Sequence, residues 1–219
     1  MKRLRVSHIV LVLLCLMYFI TYMDRVNVST AADGFARDFN LNKTQIGLVF
    51  STFAYTYLVF QIIGGWVSDR FGARRTLIAC GLVWASATVL TGLAGGLGSL
   101  LVARVILGLG EGATFPAATA AMSRWVAKEK RGYAQGVTHA AARVGNAAAP
   151  ALIVFIMANY GWREAFYACA ALSFAFHFRR IGNAAGYRHN HSGTGAPGNA
   201  GSDRGSVYFD YAIKLSIPV

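Results

Sequence analysis

The stretch GGWVSDRFGARRTL, residues 64–77, decides the fold, because it is a charged connector between two long apolar runs. It holds one aspartate and three arginines, whereas the apolar runs 45–67 and 76–95 carry no charged residue. Each run is near the roughly 20 residues that a helix needs to cross a bilayer. The stretch therefore indicates two membrane-spanning helices joined by a short basic loop.

The composition of the whole chain favours the same class of protein. Of its 219 residues, 55% are hydrophobic and 14% are charged, whereas a soluble domain carries about 25% charged residues. The net charge is +12, but the basic residues lie in short clusters between apolar segments and do not alternate with aromatic residues. That distribution is typical of membrane topology and argues against binding of nucleic acid.

Four further apolar windows extend the pattern along the chain. Together they predict an all-α membrane protein with six transmembrane spans, at about 8–31, 45–67, 76–95, 99–122, 133–158 and 163–178. Residues 1–178 would then form one six-helix bundle embedded in the lipid bilayer.

The basic residues also predict the orientation. They concentrate at the N-terminus and after spans two, four and six: Lys2, Arg3, Arg5, Arg70, Arg74, Arg75, Arg124, Lys128, Lys130, Arg131, Arg179 and Arg180. The alternate connectors hold only Arg37, Lys43 and Arg163. Because cytoplasmic loops carry the excess of lysine and arginine, we expect a multi-pass protein of the cytoplasmic (inner) membrane with its N-terminus in the cytoplasm.

Residues 179–219 differ sharply in composition from the rest of the chain. They are rich in glycine, asparagine, alanine, serine and histidine, so we expect a disordered tail rather than a packed core. We interpret the abrupt change near Phe176 as the product of reading a gene out of frame. His189 and His191 are possible metal ligands; the alternative is a disordered polar tail that binds no metal.

Cys15, Cys80 and Cys169 share no metal-ligand spacing, so we expect them to act as small apolar side chains.

Five charged residues lie inside the predicted spans. A charge in hydrocarbon costs at least about 2.5–3.5 kcal/mol, so these side chains should face a partner or a water-filled cavity. Asp24 and Arg25 lie about 24 Å along span one, a depth similar to that of Arg104 in the antiparallel span four. Glu111 is two helical turns beyond Arg104, and Arg143 in span five is near the depth of Glu111. We therefore expect a ladder of alternating charge along one cavity, in which Arg104 is the partner of Asp24.

Such a ladder would suit proton-coupled binding of an anion. Burial favours the protonated form of a carboxyl group, and a neighbouring arginine favours its ionised form, so a carboxyl group between both can exchange protons. An arginine that leaves its carboxylate can hold a substrate carboxylate bidentately. The alternatives are structural: Asp24 and Arg25 as the end of a short span, Arg104 and Glu111 as a clamp, and His139 as a helix-packing residue. We place His139, Arg143 and Asn146 as possible cavity residues.

The connector also carries a family signature. Gly65, Asp69, Arg70, Gly72, Arg74 and Arg75 resemble the motif G-x-x-x-D-R-x-G-x-R-R, found between the second and third helices of the major facilitator superfamily. Ala73 stands where a basic residue is commonest. The resemblance implies that the motif gates the cytoplasmic side, with Gly65 allowing close helix approach and Asp69 capping a helix or pairing with an arginine.

Three further stretches resemble the anion:cation symporter branch of that superfamily, which includes hexuronate, aldonate and glucarate transporters. They are YMDRVNVS (22–29), ARVILGLGEGATFPA (103–117) and WREAFY (162–167). The resemblance implies that Asp24 and Glu111 couple protons and that Arg25, with Tyr57 and Arg104, forms the substrate site. Gly136, Gly145 and Pro150 resemble part of an antiporter motif, but Ala149 replaces one of its glycines, so we do not infer exchange from it.

The resemblance covers roughly residues 8–175, which correspond to the N-terminal half of a twelve-helix fold whose substrate lies between two halves. It implies transport of an organic anion, a sugar acid or similar carboxylate, together with protons, in truncated form. The partners would be the anion, the proton and a second half or a second copy of the chain. The alternative is a non-transporting membrane fragment. The sequence predicts neither a cofactor nor enzymatic activity, since no nucleophile–base pair, metal spacing or phosphate loop stands out.

Overall fold

The structure, a computed structural model, describes the backbone of residues 2–191 and the side chains of residues 8–177. Within the described backbone every regular element is a helix. The helices are α1 (Lys2–Thr30), α2 (Ala32–Asp38), α3 (Lys43–Phe71), α4 (Ala73–Gly92), α5 (Leu97–Gly112), α6 (Thr114–Trp125), a 3-10 turn (Lys128–Lys130), α7 (Arg131–Tyr160) and α8 (Trp162–His191).

Five segments of the described chain are long and apolar enough to cross a membrane. They are His8–Thr30, Lys43–Phe71, Ala73–Gly92, Leu97–Trp125 and Lys128–Tyr160, and they coincide with the first five predicted spans. The sixth predicted span, 163–178, forms the first part of α8, whose side chains are described only to residue 177, so the five segments do not include it. The all-α membrane architecture is confirmed.

Span four is broken into two helices near its middle. α5 ends at Gly112 and α6 begins at Thr114, with Ala113 between them. Pro116 explains the break, because its ring nitrogen cannot donate to the carbonyl of Gly112 and its ring crowds that carbonyl. The break leaves Glu111 at the end of α5, next to the bend.

The glycines of α5 allow helices to approach it closely on two sides. A Cβ on Gly108 would lie 2.7 Å from Cβ of Thr56, and one on Gly112 would lie 2.9 Å from the carbonyl oxygen of Tyr57, both on α3. A Cβ on Gly110 would lie 2.6 Å from the backbone nitrogen of Trp84 on α4. α5 is therefore clamped between α3 and α4, and α4 also packs on α8.

α1 packs mainly against α7 and also contacts α8. Gly145 makes the contact with α7 possible, since a Cβ there would lie 2.6 Å from the carbonyl oxygen of Phe19. α3 is the least buried of the spans. The result is a bundle in which α1, α4, α5 and α8 surround a common interior.

A cluster at one end ties three connectors together. The carboxylate of Asp38, which ends α2, accepts hydrogen bonds from the indole of Trp162 at 2.9 Å and from Arg163 at 3.1 Å. Arg163 also donates to the carbonyl of Ala94, beyond the end of α4, at 3.3 Å. The start of α8 is thereby fixed to the two loops that lie on the same side of the bundle.

The predicted tail overlaps the end of α8. The helix continues to His191, past the predicted boundary at residue 179. Residues 192–219 lie outside the described residues, as do the side chains of His189 and His191. The disorder and the out-of-frame origin of the tail stay predictions.

Candidate functional site

An ion pair between α1 and α5 lies at the centre of the bundle. Nε of Arg25 donates to Oε2 of Glu111 at 2.6 Å. The side chain of Glu111 is completely buried and that of Arg25 is 23% exposed. Oε1 of Glu111 and Nη2 of Arg25 have no hydrogen-bond partner among the described residues. Desolvation of the two charges is unfavourable, and their remaining donor and acceptor atoms do not compensate for it. The pair can therefore form a hydrogen bond with a further polar group.

Aromatic rings enclose the guanidinium group of Arg25. Its Cζ lies 4.6 Å from the ring centre of Tyr57 and 5.2 Å from that of Tyr22. Phe53 and Phe115 follow at 5.6 and 5.8 Å. Rings at these distances attract a cation and exclude water. Tyr57, predicted as a substrate-site residue, therefore borders Arg25.

Asp24 faces a different side of α1 from Arg25. Consecutive residues of an α-helix are about 100° apart around its axis, so the two neighbours cannot share one partner. Oδ2 of Asp24 accepts hydrogen bonds from Nε1 of Trp84 on α4 and, at 3.1 Å, from Oγ of Ser173 on α8. Asp24 is 2% exposed. Its carboxylate is held by neutral donors from two helices rather than by an arginine.

Arg104 does not contact Asp24, contrary to the expectation from the sequence. Its Nη2 donates to Oγ1 of Thr91 on α4 at 2.9 Å, and the hydroxyl of Thr91 donates to the carbonyl of Ala87. Each group instead has a hydrogen-bond partner on α4, Trp84 for Asp24 and Thr91 for Arg104. Arg104 is 2% exposed, and its Nε has no hydrogen-bond partner among the described residues.

Arg25 and Arg104 line one cavity of about 80 Å³. Its other lining residues are apolar: Val28, Phe50, Phe53 and Leu107. Two arginine side chains thus border one small, mostly apolar space. A carboxylate or another compact anion is the complementary ligand for that arrangement.

The predicted ladder does not continue to α7. Arg143 and Asn146 lie on the exposed side of that helix, and Arg143 forms no ion pair with a described residue. The buried side of α7 carries Ala142 and Gly145, which pack toward α1. The buried charged side chains of the described bundle therefore lie on α1 and α5, and Arg143 and Asn146 stay candidates for a cavity surface only.

His139 has an aromatic rather than an ionic environment. Its ring lies parallel to Phe115, with centres 6.1 Å apart, and edge-on to Tyr18 at 5.8 Å. A ring nitrogen of His139 is 3.1 Å from Nε2 of Gln135. These contacts favour the helix-packing interpretation, although Phe115 also borders Arg25.

The connector between α3 and α4 forms a tight turn at one end of the bundle. Gly72 has φ of 87°, a backbone conformation that suits glycine. The side chains of Asp69, Arg70 and Arg75 are exposed; Arg70 lies over the ring of Trp66 at 5.9 Å, and Arg74 is partly buried. The exposed side chains of Asp69, Arg70 and Arg75 can therefore make contacts beyond the bundle.

The close helix–helix approach that we predicted at Gly65 occurs at Gly64 instead. A Cβ on Gly64 would lie 2.3 Å from Cβ of Ala113, whereas a Cβ on Gly65 would make an ordinary contact of 3.8 Å with Pro116. Gly64 therefore lets α3 pack against the bend of span four. The expectation for Gly65 was wrong by one position, because the rotation of a helix about its axis is set by packing.

Sequence reasoning did not identify Trp84, Ser173 or Thr91. Trp84 and Thr91 are seven residues apart on α4 and therefore share one face. A tryptophan and a threonine on one face of α4 were the signal that the sequence offered. Their roles as donors to buried charges required the structure, since neither residue is charged.

A multi-span helical membrane bundle with buried charges around a small cavity is the class of protein that the fold and the site define. The chain belongs to the Major Facilitator Superfamily, whose family model matches residues 14–198. It is similar to a probable sulfoacetate transporter of Cupriavidus necator, with 47% identity over 81% of this chain and 43% of that protein. A hexuronate transporter of Bacillus subtilis is 34% identical over 72% of this chain and 37% of that protein.

The fold agrees with the solved structures of the same superfamily. A bacterial homologue of the human lysosomal transporter Spinster, in an inward-facing conformation, superposes with a TM-score of 0.72 at 23% identity. The match covers 79% of this chain and 42% of that structure. The chain spans less than half the length of these relatives and corresponds to the N-terminal half of the fold. The expectation of a transporter family rather than an enzyme is confirmed.

Proposed function

We propose that the chain forms the N-terminal half of a secondary transporter that moves an organic anion across the inner membrane together with protons. The observation that carries the proposal is the cavity lined by Arg25 and Arg104, each of which has a buried nitrogen without a hydrogen-bond partner among the described residues. The similarity to transporters named for sulfoacetate and hexuronate supports an organic acid as the substrate.

A count of charges links the anion to the proton. Asp24 and Glu111 contribute −2 and Arg25 and Arg104 contribute +2, so the buried cluster is neutral when all four groups are ionised. Protonation of one carboxylate leaves a charge of +1, which an organic anion would neutralise. Asp24 is the carboxylate that can take a proton without breaking an ion pair, because its partners are neutral donors.

Arg25 would bind the anionic group of the substrate. Its Nε is engaged by Glu111, and its Nη2 is free to donate to a second oxygen acceptor. When the substrate arrives, its carboxylate or sulfonate can share or replace Glu111, while Tyr57 and Phe53 keep water away from the guanidinium. Glu111 then becomes the second group that can exchange a proton.

The rest of the proposal concerns the complete protein. The N-terminus and the basic connectors would lie in the cytoplasm, with Asp69 and the arginines of the α3–α4 connector at the cytoplasmic gate. A second half, from the same polypeptide or from another copy of the chain, would complete the cavity at the bilayer midplane.

Binding to the purified chain tests the proposal. The chain is reconstituted in nanodiscs, and binding of sulfoacetate, glucuronate and galactonate is followed calorimetrically at mildly acidic and neutral pH. We expect at least one anion to bind with uptake of protons, and Arg25→Lys or Arg104→Lys to weaken that binding roughly tenfold or more. The matched control is Arg37→Lys, on exposed α2. If none of the three anions binds, or if all three variants behave alike, the proposal is wrong for this chain.

A further inference from the structure

We propose that Trp84 and Ser173 are positioning residues that control proton exchange at Asp24. The inference rests on the proposed function only in assigning Asp24 as a proton-exchanging group. It concerns the two side chains that hold this carboxylate, which belong to helices other than α1.

Trp84 and Ser173 donate to the same carboxylate oxygen of Asp24. Nε1 of Trp84 and Oγ of Ser173 donate to Oδ2 of Asp24, whereas Oδ1 has no hydrogen-bond partner among the described residues. An ionised carboxylate only accepts hydrogen bonds, so two donors on one oxygen stabilise the ionised form. A proton arriving at Asp24 would go to Oδ1, the oxygen to which neither Trp84 nor Ser173 donates.

The indole of Trp84 is fixed in place. Trp84 is completely buried, and its backbone nitrogen packs against Gly110, where a Cβ would come within 2.6 Å. The ring of His177 lies edge-on to it, with ring centres 5.3 Å apart. Trp84 therefore cannot turn away from Asp24 without moving α4 or α8.

The two donors differ in what they can do once Asp24 is protonated. An indole N–H only donates, whereas a serine hydroxyl can donate or accept and can rotate. Ser173 can therefore adapt to the protonated carboxyl group, but Trp84 continues to favour the ionised form. Loss of the indole should consequently affect proton binding more than loss of the hydroxyl.

Other ionisable groups face Asp24 from the neighbouring helices. Arg104 and Glu111 face it from α5. On α8, the thiol of Cys169 can also donate to the carboxylate of Asp24, and His177 lies one turn beyond Ser173. Arg25 on α1 points to Glu111 instead. Arg104 and Glu111 act on Asp24 at a distance with opposite signs, so the direct hydrogen bonds of Trp84 and Ser173 discriminate between its two protonation states.

The experiment is an infrared pH titration of the full chain in nanodiscs. The carboxylic acid band of Asp24 is identified as the band that Asp24→Asn removes. We expect Trp84→Phe to increase the proton affinity of Asp24 roughly tenfold, so that its titration midpoint moves to higher pH by about one unit. Ser173→Ala should move the midpoint in the same direction but less.

Two control variants remove similar groups elsewhere. Trp162→Phe removes an indole that donates to a different carboxylate, that of Asp38. Thr21→Ala removes a buried hydroxyl of α1 that donates to the carbonyl of Met17 and not to Asp24. We expect neither control to move the Asp24 band.

The outcomes separate this inference from the proposed function. If the Asp24 band titrates but neither Trp84→Phe nor Ser173→Ala moves it, the positioning role is wrong and proton exchange at Asp24 stands. If no titrating band depends on Asp24, its proton role in the proposed function is wrong, and this inference fails with it. Ser173→Ala keeps the test decisive if the tryptophan variant does not fold.

Discussion

The side chain of Arg25 has three distinct kinds of environment. It pairs with a completely buried carboxylate, lies among aromatic rings and leaves one nitrogen without a partner. Each ring stabilises the cation by about 0.5–2 kcal/mol, whereas the desolvation of the two charges costs several kcal/mol. The pair therefore contributes little net stability, but removal of either member would leave an uncompensated buried charge.

Replacement of Glu111 by glutamine tests that statement. The amide has the size of the carboxylate but cannot neutralise Arg25, so we expect the free energy of unfolding to fall by about 3 kcal/mol. The measurement is SDS-driven unfolding of the chain in mixed micelles, followed by circular dichroism. Glu129→Gln is the control, because Glu129 is exposed and forms no ion pair with a described residue. Equal stability of the two variants would contradict a paired state of Glu111.

At the residue level, three of the five charges that the sequence placed inside the spans are buried, whereas Arg143 is exposed and the pairing was not predicted. Asp24, Arg104 and Glu111 are indeed buried inside the bundle. The expected pairing of Asp24 with Arg104 was wrong, and the pairing of Arg25 with Glu111 was not foreseen. Depth along a helix follows from counting residues, whereas partners depend on rotation about the helix axis and on uncharged donors such as Trp84 and Thr91.

The close packing of α3 and α4 against α5 depends on three glycines of α5. Gly108 and Gly112 face α3 and Gly110 faces α4, so one helix makes close contacts on two sides. Small residues permit backbones to approach in a membrane, where the hydrophobic effect between helices is absent. The same contacts bring Tyr57 on α3 close to Arg25 and fix Trp84 on α4. Helix packing and site geometry therefore depend on the same three positions.

Gly108→Ala should separate α3 from α5. The added Cβ would lie 2.7 Å from Cβ of Thr56 and 3.0 Å from the backbone nitrogen of Tyr57. Overpacking of this kind costs about 1–3 kcal/mol, which should appear as a lower free energy of unfolding. Gly136→Ala on α7 is the control: its Cβ would meet nothing within 4 Å, and alanine favours a helix by about 1 kcal/mol. The packing argument fails if both variants change stability in the same direction.

At the element level, hydropathy and charge predicted the first five spans well. Local features within them were harder to predict. Pro116 was visible in the sequence, but the break at Ala113 was not predicted from it. The contact of α3 with this bend through Gly64 was also not predicted. The short helix α2 was not predicted, because seven residues carry too little periodicity to stand out from a connector.

In the proposed function of the whole molecule, proton movement must be coupled to anion movement. The described bundle places Asp24 and Arg25, the residues proposed to exchange the proton and to bind the anion, next to each other on α1 but directed to different helices. Asp24 joins α1 to α4 and α8, and Arg25 joins α1 to α5. A proton on Asp24 would weaken the first set of contacts and an anion on Arg25 the second, so under the proposed function α1 would couple the two events.

Asp24→Asn should separate the two events. For this test, residues 1–175 are fused to the C-terminal half of the similar Cupriavidus necator protein, and the fusion protein is reconstituted in liposomes with an inward proton gradient. The asparagine variant cannot exchange a proton but retains the arginines, so we expect it to lose accumulation of radiolabelled sulfoacetate against its gradient. Exchange of labelled for unlabelled anion should persist, because that process needs binding and reorientation without net proton movement. Uphill uptake equal to that of the unsubstituted fusion would show that Asp24 does not couple protons, and loss of both processes would point to a structural role of Asp24 instead.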